Sequence, residues 1–137
     1  MKLVPYLTFD GNCEAAFLFY EQVFGGKIED KMTWGSSPVE TPVSDEWHEK
    51  VMHMSIQIGD QTIMGSDNPP NYFKQPQGMS VSVQADSAQA AEQIFSALAK
   101  NGSVQMDMEK TFWAERFGMV TDQFGIPWMI NCDKTTA

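Results

Sequence analysis

Cysteine and basic side chains are both scarce in this sequence. The two cysteines, Cys13 and Cys132, lie far apart and lack the spacing of a metal site. Free thiols in a reducing compartment are the simplest interpretation, and a single disulfide stays open as an alternative. Nine lysines and arginines stand against 18 aspartates and glutamates, which gives a formal net charge of −9. Such acidity disfavours nucleic acid and anionic membranes as partners.

Long hydrophobic runs are also missing, and none approaches the length that crosses a bilayer. The first ten residues contain no small-residue cleavage site, so we expect a strand there rather than a signal peptide. No glycine-rich loop follows a strand to bind a nucleoside cofactor, and no Ser-His-Asp or Cys-His arrangement is visible. The sequence therefore predicts a cytoplasmic protein without a cofactor, and with neither nucleic acid nor a membrane as partner.

Hydrophobic residues are plentiful enough for a core: 42% of the chain is hydrophobic and 12% is aromatic, as in globular proteins. Alternation predicts strands over residues 3–9, 27–34, 51–58, 61–66, 79–84, 103–107, 116–121 and 127–132. Helical spacing predicts one helix capped by Asn12 and another capped by Asp86 or Ser87. The apolar face of the first helix is predicted to contain Ala16, Phe19, Tyr20, Val23 and Phe24.

The two halves of the chain have the same predicted layout. Sliding one half by 65 positions pairs Met64 with Met129, and His53 with Gly118. We therefore expect one domain, residues 1–137, built from module one (1–66), a linker (67–77) and module two (78–132). The fold class is α+β, with two βαβββ modules whose helices cover one face of each sheet and leave the other face concave. Ligands commonly bind in clefts of that kind.

The motifs that support a family resemblance run from one end of the chain to the other. They are Pro5-Tyr6-Leu7, Gly11-Asn12-Cys13, Ala16, Phe19-Tyr20, His53, Asp67, Thr111-Phe-Trp-Ala114, Phe117-Gly118, Val120-Thr-Asp122 and Phe124-Gly-Ile-Pro-Trp-Met-Ile-Asn131. Together they resemble the PhnB-like family of the vicinal oxygen chelate superfamily, which includes glyoxalases, bleomycin-resistance proteins and extradiol dioxygenases. Members are often labelled 3-demethylubiquinone methyltransferase-like. The resemblance implies the glyoxalase-type concave sheet and a homodimer.

The resemblance also implies where a divalent metal would bind, on the first and last strands of each module. Those positions correspond to Pro5, Met64, Met79 and Met129, which supply no nitrogen or oxygen ligand of the kind zinc, nickel or iron prefers. A slip of one residue in this assignment would reverse the face to which a side chain points. The expectation is that the usual metal site is absent.

His53 is the first catalytic candidate, because imidazole titrates near neutral pH and serves as an acid, a base or a donor. The odd positions 53, 55 and 57 are polar and the even positions 52–58 are apolar, so His53 and Ser55 are expected on the face away from the helix. Glu115 is the second catalytic candidate, as a base. A structural histidine and a surface carboxylate are the alternatives. The ligand-binding candidates are Trp34, Ser55, Met64, Met79, Phe112, Trp113, Met129 and Asn131.

Three functions remain open from the sequence. The first is a small-molecule-binding protein that lacks the superfamily metal. The second is a metal-dependent lyase, isomerase or dioxygenase of the glyoxalase type, and the third is a drug-sequestering resistance protein. The long segment of residues 35–50 is either a functional lid or a disordered connector.

Overall fold

A computed structural model of the chain describes residues 1–37 and 43–134. The predicted segment of residues 35–50 thus lies partly outside the described residues. The elements in chain order are β1 (Tyr6–Phe9), α1 (Cys13–Phe24), β2 (Lys27–Thr33), two 3-10 turns (Trp34–Ser36 and Asp45–Trp47), β3 (Val51–Ile58), β4 (Gln61–Asp67), β5 (Val81–Gln84), α2 (Ala88–Ala99), β6 (Ser103–Glu109), β7 (Ala114–Thr121) and β8 (Pro127–Asp133). The α+β class and the repeated βαβββ order are confirmed.

The chain divides into two compact units, Met1–Gln75 and Pro76–Ala137. The first unit contains a four-stranded sheet in the order β1-β4-β3-β2, and the second contains a sheet in the order β5-β8-β7-β6. In each sheet the first and last strands of the unit pair in parallel, and the other neighbours are antiparallel. Neither described helix is long and apolar enough to cross a membrane.

Helix α1 packs on one face of the first sheet. A Cβ on Gly65 would lie 3.0 Å from the ring of Phe17, so glycine allows the helix to approach β4 closely. Gly65 pairs with Met54 on β3, and both lie on the helix-covered face. The neighbouring pair, Ser55 and Met64, therefore points to the opposite face.

The buried stripe of α1 differs from the predicted one. Cys13, Ala16, Phe17 and Tyr20 are its buried residues, which is the spacing i, i+3, i+4 and i+7 counted from the start of the helix. Phe17 was missed because the predicted stripe began three residues later, at Ala16.

Asp67 takes the capping role that the sequence assigned to Asn12. Asn12 occupies the cap position of α1 but makes no side-chain capping bond. Instead, Asp67 Oδ1 accepts the backbone N–H groups of Gly11 and Cys13 at 2.9 Å each, and its Oδ2 accepts that of Val51 at 2.9 Å. Asp67 is the last residue of β4 rather than the first residue of a linker. Its carboxylate therefore joins three segments of the first unit.

Helix α2 packs on one face of the second sheet, where Gly118 allows the close approach. A Cβ on Gly118 would lie 2.8 Å from the ring of Phe95 on α2. Gly118 pairs with Ile130, and Val120 pairs with Trp128, so these four positions share the helix-covered face. Met119 and Met129, which also pair with each other, point to the opposite face.

The turn between β7 and β8 is organised by Asp122. Its Oδ1 accepts the backbone N–H groups of Phe124 at 2.8 Å and Ile126 at 3.1 Å, and its Oδ2 accepts the indole N–H of Trp128 at 2.9 Å. Gly125 adopts a φ of 89°, a conformation that glycine takes without steric cost.

Three sequence-based details of register and strand length are wrong. Gly118 faces α2 whereas His53 lies on the face away from α1, so the two are not equivalent. The offset is 65 along β4 and β8 but 64 along β3 and β7, because Ser55 pairs with Met64 and Met119 pairs with Met129. Strand β1 begins at Tyr6 instead of residue 3, and β5 begins at Val81 instead of residue 79.

Candidate functional site

In each unit, we call the sheet face away from the helix the open face; the two open faces together carry five of the ten candidate residues. On the first sheet, the open face is mainly polar. Cross-strand register aligns Asp30, Ser55, Met64 and Tyr6 in one row across four strands. His53 lies two residues before Ser55 on β3 and points to the same side.

Tyr6 and His53 form a hydrogen-bonded pair on this open face. The Tyr6 hydroxyl lies 3.0 Å from His53 Nδ1, and the two ring centroids are 5.8 Å apart. Tyr6 is 52% exposed. Among the described residues, no other group hydrogen-bonds to the His53 ring, and Nδ1 is the nitrogen that Tyr6 occupies.

The other polar side chains of the first open face bond to one another. Ser55 Oγ donates to Asp30 Oδ2 at 3.4 Å, and Thr62 Oγ1 donates to Gln57 Oε1 at 2.7 Å. Ser55 is buried. The hydrogen-bonding capacity of Ser55 and Gln57 is therefore largely satisfied within the sheet, in contrast to that of His53.

On the second sheet, the open face carries a row of methionines. Met106, Met119 and Met129 align across β6, β7 and β8, and Ser82 continues the row on β5. We call Met106, Met119 and Met129 the methionine surface. Side chains directly opposite on neighbouring strands have Cβ atoms about 4.5–5.5 Å apart. Register therefore places the three thioethers on neighbouring strands, with Met106 at an irregularity of the β6–β7 pairing.

An adjacent row on the same open face combines an aromatic ring with amides. Phe117, Asn131 and Gln84 align across β7, β8 and β5. The side-chain Nδ2 of Asn131 donates to Gln84 Oε1 at 2.8 Å and to Asp133 Oδ1 at 2.9 Å. Asn131 is 7% exposed, and its Oδ1 is enclosed without a hydrogen-bond partner.

Two further aromatic rings stand beside Phe117. Trp113 makes an edge-to-face contact with Phe117 at a centroid distance of 5.4 Å, and Phe112 makes one with Trp113 at 4.9 Å. Phe112 is 87% exposed and Trp113 is 48% exposed. Such exposure of aromatic rings is typical of a recognition surface. We call Phe112, Trp113 and Phe117 the aromatic cluster.

Three of the sequence candidates lie away from these rows. Trp34 donates its indole N–H to the backbone oxygen of Asp67 at 3.0 Å. It therefore bonds to the same residue whose carboxylate caps α1. Met79 precedes β5 and is 83% exposed. Glu115 lies at an irregularity in the β7–β8 pairing, with its Oε1 3.9 Å from Arg116 Nη1. Their roles in binding or catalysis stay predictions.

The register gives a second set of residues to compare with the superfamily ligand positions assigned from the sequence to Pro5, Met64, Met79 and Met129. Met64 pairs with Tyr6 on β1, and Met129 pairs with Ser82 on β5. Neutral hydroxyls and thioethers are weak donors for zinc, nickel or iron, so this set does not fit the usual metal. The described part of the chain contains no group of three or more His, Cys, Asp or Glu side chains that could hold a metal ion.

Both cysteines are buried free thiols. Burial raises the pKa of the Cys13 thiol far above its usual range, and the negative charges of Asp67 and then Glu14 raise it further. Because the thiolate is the nucleophilic form, we expect Cys13 to be unreactive at neutral pH. Cys13 lies in the first unit and Cys132 in the second.

Several residues of the open faces escaped the sequence interpretation. They are Tyr6, Ser82, Gln84, Met106, Phe117 and Met119. Alternation in residues 116–121 places Phe117 and Met119 on one side, and this signal was available. The partners Tyr6 and Ser82 depend on parallel register with a strand far along the chain, which alternation does not encode.

Comparison with known proteins establishes the family. The family model described as 3-demethylubiquinone-9 3-methyltransferase matches residues 1–131. The chain belongs to this family. Protein YjdN from Escherichia coli (strain K12) is 34% identical over 142 residues, which cover 98% of this chain and 97% of that protein.

Solved structures share the predicted fold. Protein PA1353 from Pseudomonas aeruginosa is 44% identical, with a TM-score of 0.90 over 98% of this chain and 99% of that one. The PhnB protein from Bacillus cereus is 22% identical, with a TM-score of 0.80 over 96% of this chain and 99% of that one. Two proteins of the glyoxalase/bleomycin resistance/dioxygenase group share the fold at 9–13% identity and TM-scores of 0.63–0.65.

Proposed function

We propose that this family member binds a small organic molecule without a superfamily-type divalent metal, and that the methionine surface contacts the apolar part of that molecule. The observation that carries the proposal is the alignment of Met106, Met119 and Met129 across three adjacent strands on the open face of the second sheet. Methionine side chains are flexible and polarizable, so they adapt to apolar ligands of different shapes.

The aromatic cluster supports the same proposal and favours planar ligands. Phe112 and Trp113 are exposed and in edge-to-face contact, and aromatic groups of a ligand gain both area burial and quadrupolar attraction from such rings. This feature also keeps the drug-sequestering alternative as a second candidate, since a protein of that kind needs an aromatic binding surface and no catalytic group.

The donor set at the corresponding ligand positions argues against a glyoxalase-type metal enzyme. Tyr6, Met64, Ser82 and Met129 contain one phenol, one alcohol and two thioethers, and none of these is the imidazole or carboxylate that holds zinc, nickel or iron. His53 is proposed to act on the first sheet as a hydrogen-bond donor or an acid–base group, through the ring nitrogen that Tyr6 leaves free.

We also propose a cytoplasmic homodimer with no nucleic acid or membrane as partner. The edge strands β2 and β6 pair on one side only within their sheets, and they expose Met32 and Val104. Exposed edges with apolar side chains favour association. Sedimentation at micromolar concentration is expected to give a dimer, and a monomer would contradict this part of the proposal.

Two measurements on the purified protein test the binding function. Elemental analysis is expected to find far less than one zinc, nickel, iron or manganese per chain, and a screen of small aromatic compounds is expected to find binders in the presence of EDTA. Met119→Ser is expected to weaken those binders. Met52→Ser is the matched control that should leave them unchanged, because Met52 is also partly buried but lies on β3 of the first sheet, on the face opposite to His53. Binding that requires one metal per chain would contradict the proposal and favour the metal-enzyme alternative.

A further inference from the structure

Tyr6 combines exposure to solvent with an imidazole partner. Its hydroxyl lies 3.0 Å from His53 Nδ1, and this hydrogen bond is itself exposed. The Tyr6 residue is 52% exposed, so a molecule in solution can reach the phenol. Both residues belong to the first unit, and the pair therefore needs no contribution from the second.

The sheet fixes the distance between the two side chains. Tyr6 begins β1 and pairs with Met64 on β4, whereas His53 lies on β3 and pairs with Met32 on β2. Both side chains thus project from hydrogen-bonded strands rather than from loops. Groups that are built on strands are held more precisely than groups on loops.

The chemistry of the pair is that of a nucleophile beside a base. A phenol donates a hydrogen bond, and an imidazole nitrogen that carries no proton accepts one. In the tautomer with its proton on Nε2, the Tyr6 O–H is therefore directed to Nδ1 of His53. A nucleophile within hydrogen-bond reach of a base is the arrangement that nucleophilic catalysis uses, because the base takes the proton as the nucleophile attacks.

Other hydroxyls on the first sheet lack this combination. Ser55 is buried and donates to Asp30 Oδ2. Ser66 is also buried and donates to Asn68 Oδ1 at 3.3 Å. Tyr6 thus offers an accessible oxygen with a base as its partner.

We infer that Tyr6 is a nucleophile toward activated acyl compounds and that His53 is its base. The bond between Tyr6 Oη and the acyl carbon forms, and the bond from that carbon to the leaving group breaks with its electron pair on the leaving group. The phenolic proton passes to His53 Nδ1 and then to the leaving group. The inference rests on the acid–base role proposed for His53 and adds the residue on which that base acts.

Acetylation of the intact native protein by N-acetylimidazole tests the inference, with the acetyl groups located by mass spectrometry of peptides. The three tyrosines give an internal comparison, because Tyr72 is 64% exposed and Tyr20 is fully buried. Tyr6 is expected to react at least about tenfold faster than Tyr72, although it is less exposed. Positioned bases contribute about 10²–10⁴-fold in enzymes, and we expect less here because water competes at an exposed pair.

Two variants separate a base from a residue that only positions the phenol. His53→Phe keeps a ring beside Tyr6 but removes both nitrogens. His53→Asn keeps a hydrogen-bond acceptor that does not take up a proton near neutral pH. Both variants are expected to lower the rate at Tyr6 to that at Tyr72, and circular dichroism checks that they fold. Should a variant not fold, the ratio of the two rates in the wild-type protein decides.

The failures of this inference and of the proposed function are distinguishable. A wild-type Tyr6 that reacts no faster than Tyr72 would overturn the inference. Fast acetylation of Tyr6 in folded His53→Asn would also overturn it, since the side chain at position 53 would then act only by positioning. Neither outcome affects the binding of aromatic compounds in EDTA, which tests the proposed function at the methionine surface separately.

Discussion

Replacing Asp67 tests whether one carboxylate holds the first unit together. Asp67 is 1% exposed and accepts the backbone N–H groups of Gly11, Cys13 and Val51 at 2.9 Å. Asp67→Ala leaves those three donors without their acceptor. A buried unpaired donor costs about 1–3 kcal/mol. Water that enters the space left by the Asp67 side chain can accept some of these bonds. We therefore expect the free energy of unfolding to fall by about 3–5 kcal/mol, as for other broken buried charge interactions.

A milder substitution sharpens this prediction. Asp67→Asn keeps the shape of the side chain and one acceptor oxygen. Its NH2 group, however, is a donor that would face the N–H donor of Val51, or those of Gly11 and Cys13. We expect the free energy of unfolding to fall by about 2 kcal/mol, which is less than for alanine.

Urea unfolding followed by circular dichroism measures the effect of both Asp67 variants, and hydrogen exchange locates it. Asp10→Ala is the matched control, because Asp10 is exposed and close in sequence to the same junction; its effect should stay within about 0.5 kcal/mol. An Asp67→Ala protein within about 1 kcal/mol of the wild type, with unchanged exchange at Gly11, Cys13 and Val51, would refute the reasoning.

Three further predictions concern the two open faces and the core. His53→Ala is expected to weaken ligand binding more than it lowers stability, because the ring lies on the open face; unfolding with unchanged affinity in the folded fraction would contradict this. Gly118→Ala is expected to lower the free energy of unfolding by about 1–3 kcal/mol, because the added Cβ would lie 2.8 Å from the ring of Phe95. An unchanged free energy in urea unfolding would contradict this close packing. Native Cys13 is expected not to react with a thiol reagent at pH 8, since its raised pKa keeps the thiol protonated. Stoichiometric labelling of Cys13 in the native protein would contradict this prediction.

The raised pKa of Cys13 also has a consequence for stability against pH. Above the ordinary thiol pKa of about 8.5, the unfolded chain loses the proton that the native chain keeps. The native state then binds more protons than the unfolded state, so stability falls as pH rises above that value. Below it, both states are protonated and the contribution is constant. Cys13→Ala should remove this part of the alkaline loss.

Local patterns were sufficient to predict the order of helices and strands, and nearby residues also account for one turn. Asp122, Gly125 and Pro127 lie within six positions, and the turn they form needs only local hydrogen bonds and one positive φ. Alternation along residues 51–58 likewise predicted that His53 points away from the helix, because side chains in a strand alternate.

Register between distant strands was beyond those patterns. Ile58 pairs with Gln61 in one hairpin, whereas Thr121 pairs with Pro127 in the other. The two turns differ in length, so the sequence offset between equivalent residues of the two modules changes by one from the first strand of the hairpin to the second. A shift of one position exchanges the two faces of a strand. This is why His53 was matched with Gly118.

Long-range side-chain contacts were also invisible to local patterns. The bond from Gly11 N to Asp67 spans 56 positions, and the Tyr6–His53 pair spans 47. In neither pair does the local sequence around one residue identify the other residue. The residues of the methionine surface were harder still, since 10 methionines are spread along the chain and only strand pairing shows which three align.

Titration of methyl-labelled methionine in the presence of EDTA tests the central claim most directly. The methyl signals of all 10 methionines are followed while a small aromatic binder from the screen is added. Binding without metal at the methionine surface predicts that Met106, Met119 and Met129 shift together and saturate with one dissociation constant. Shifts confined to other methionines, or binding that appears only after a divalent metal is restored, would contradict the account.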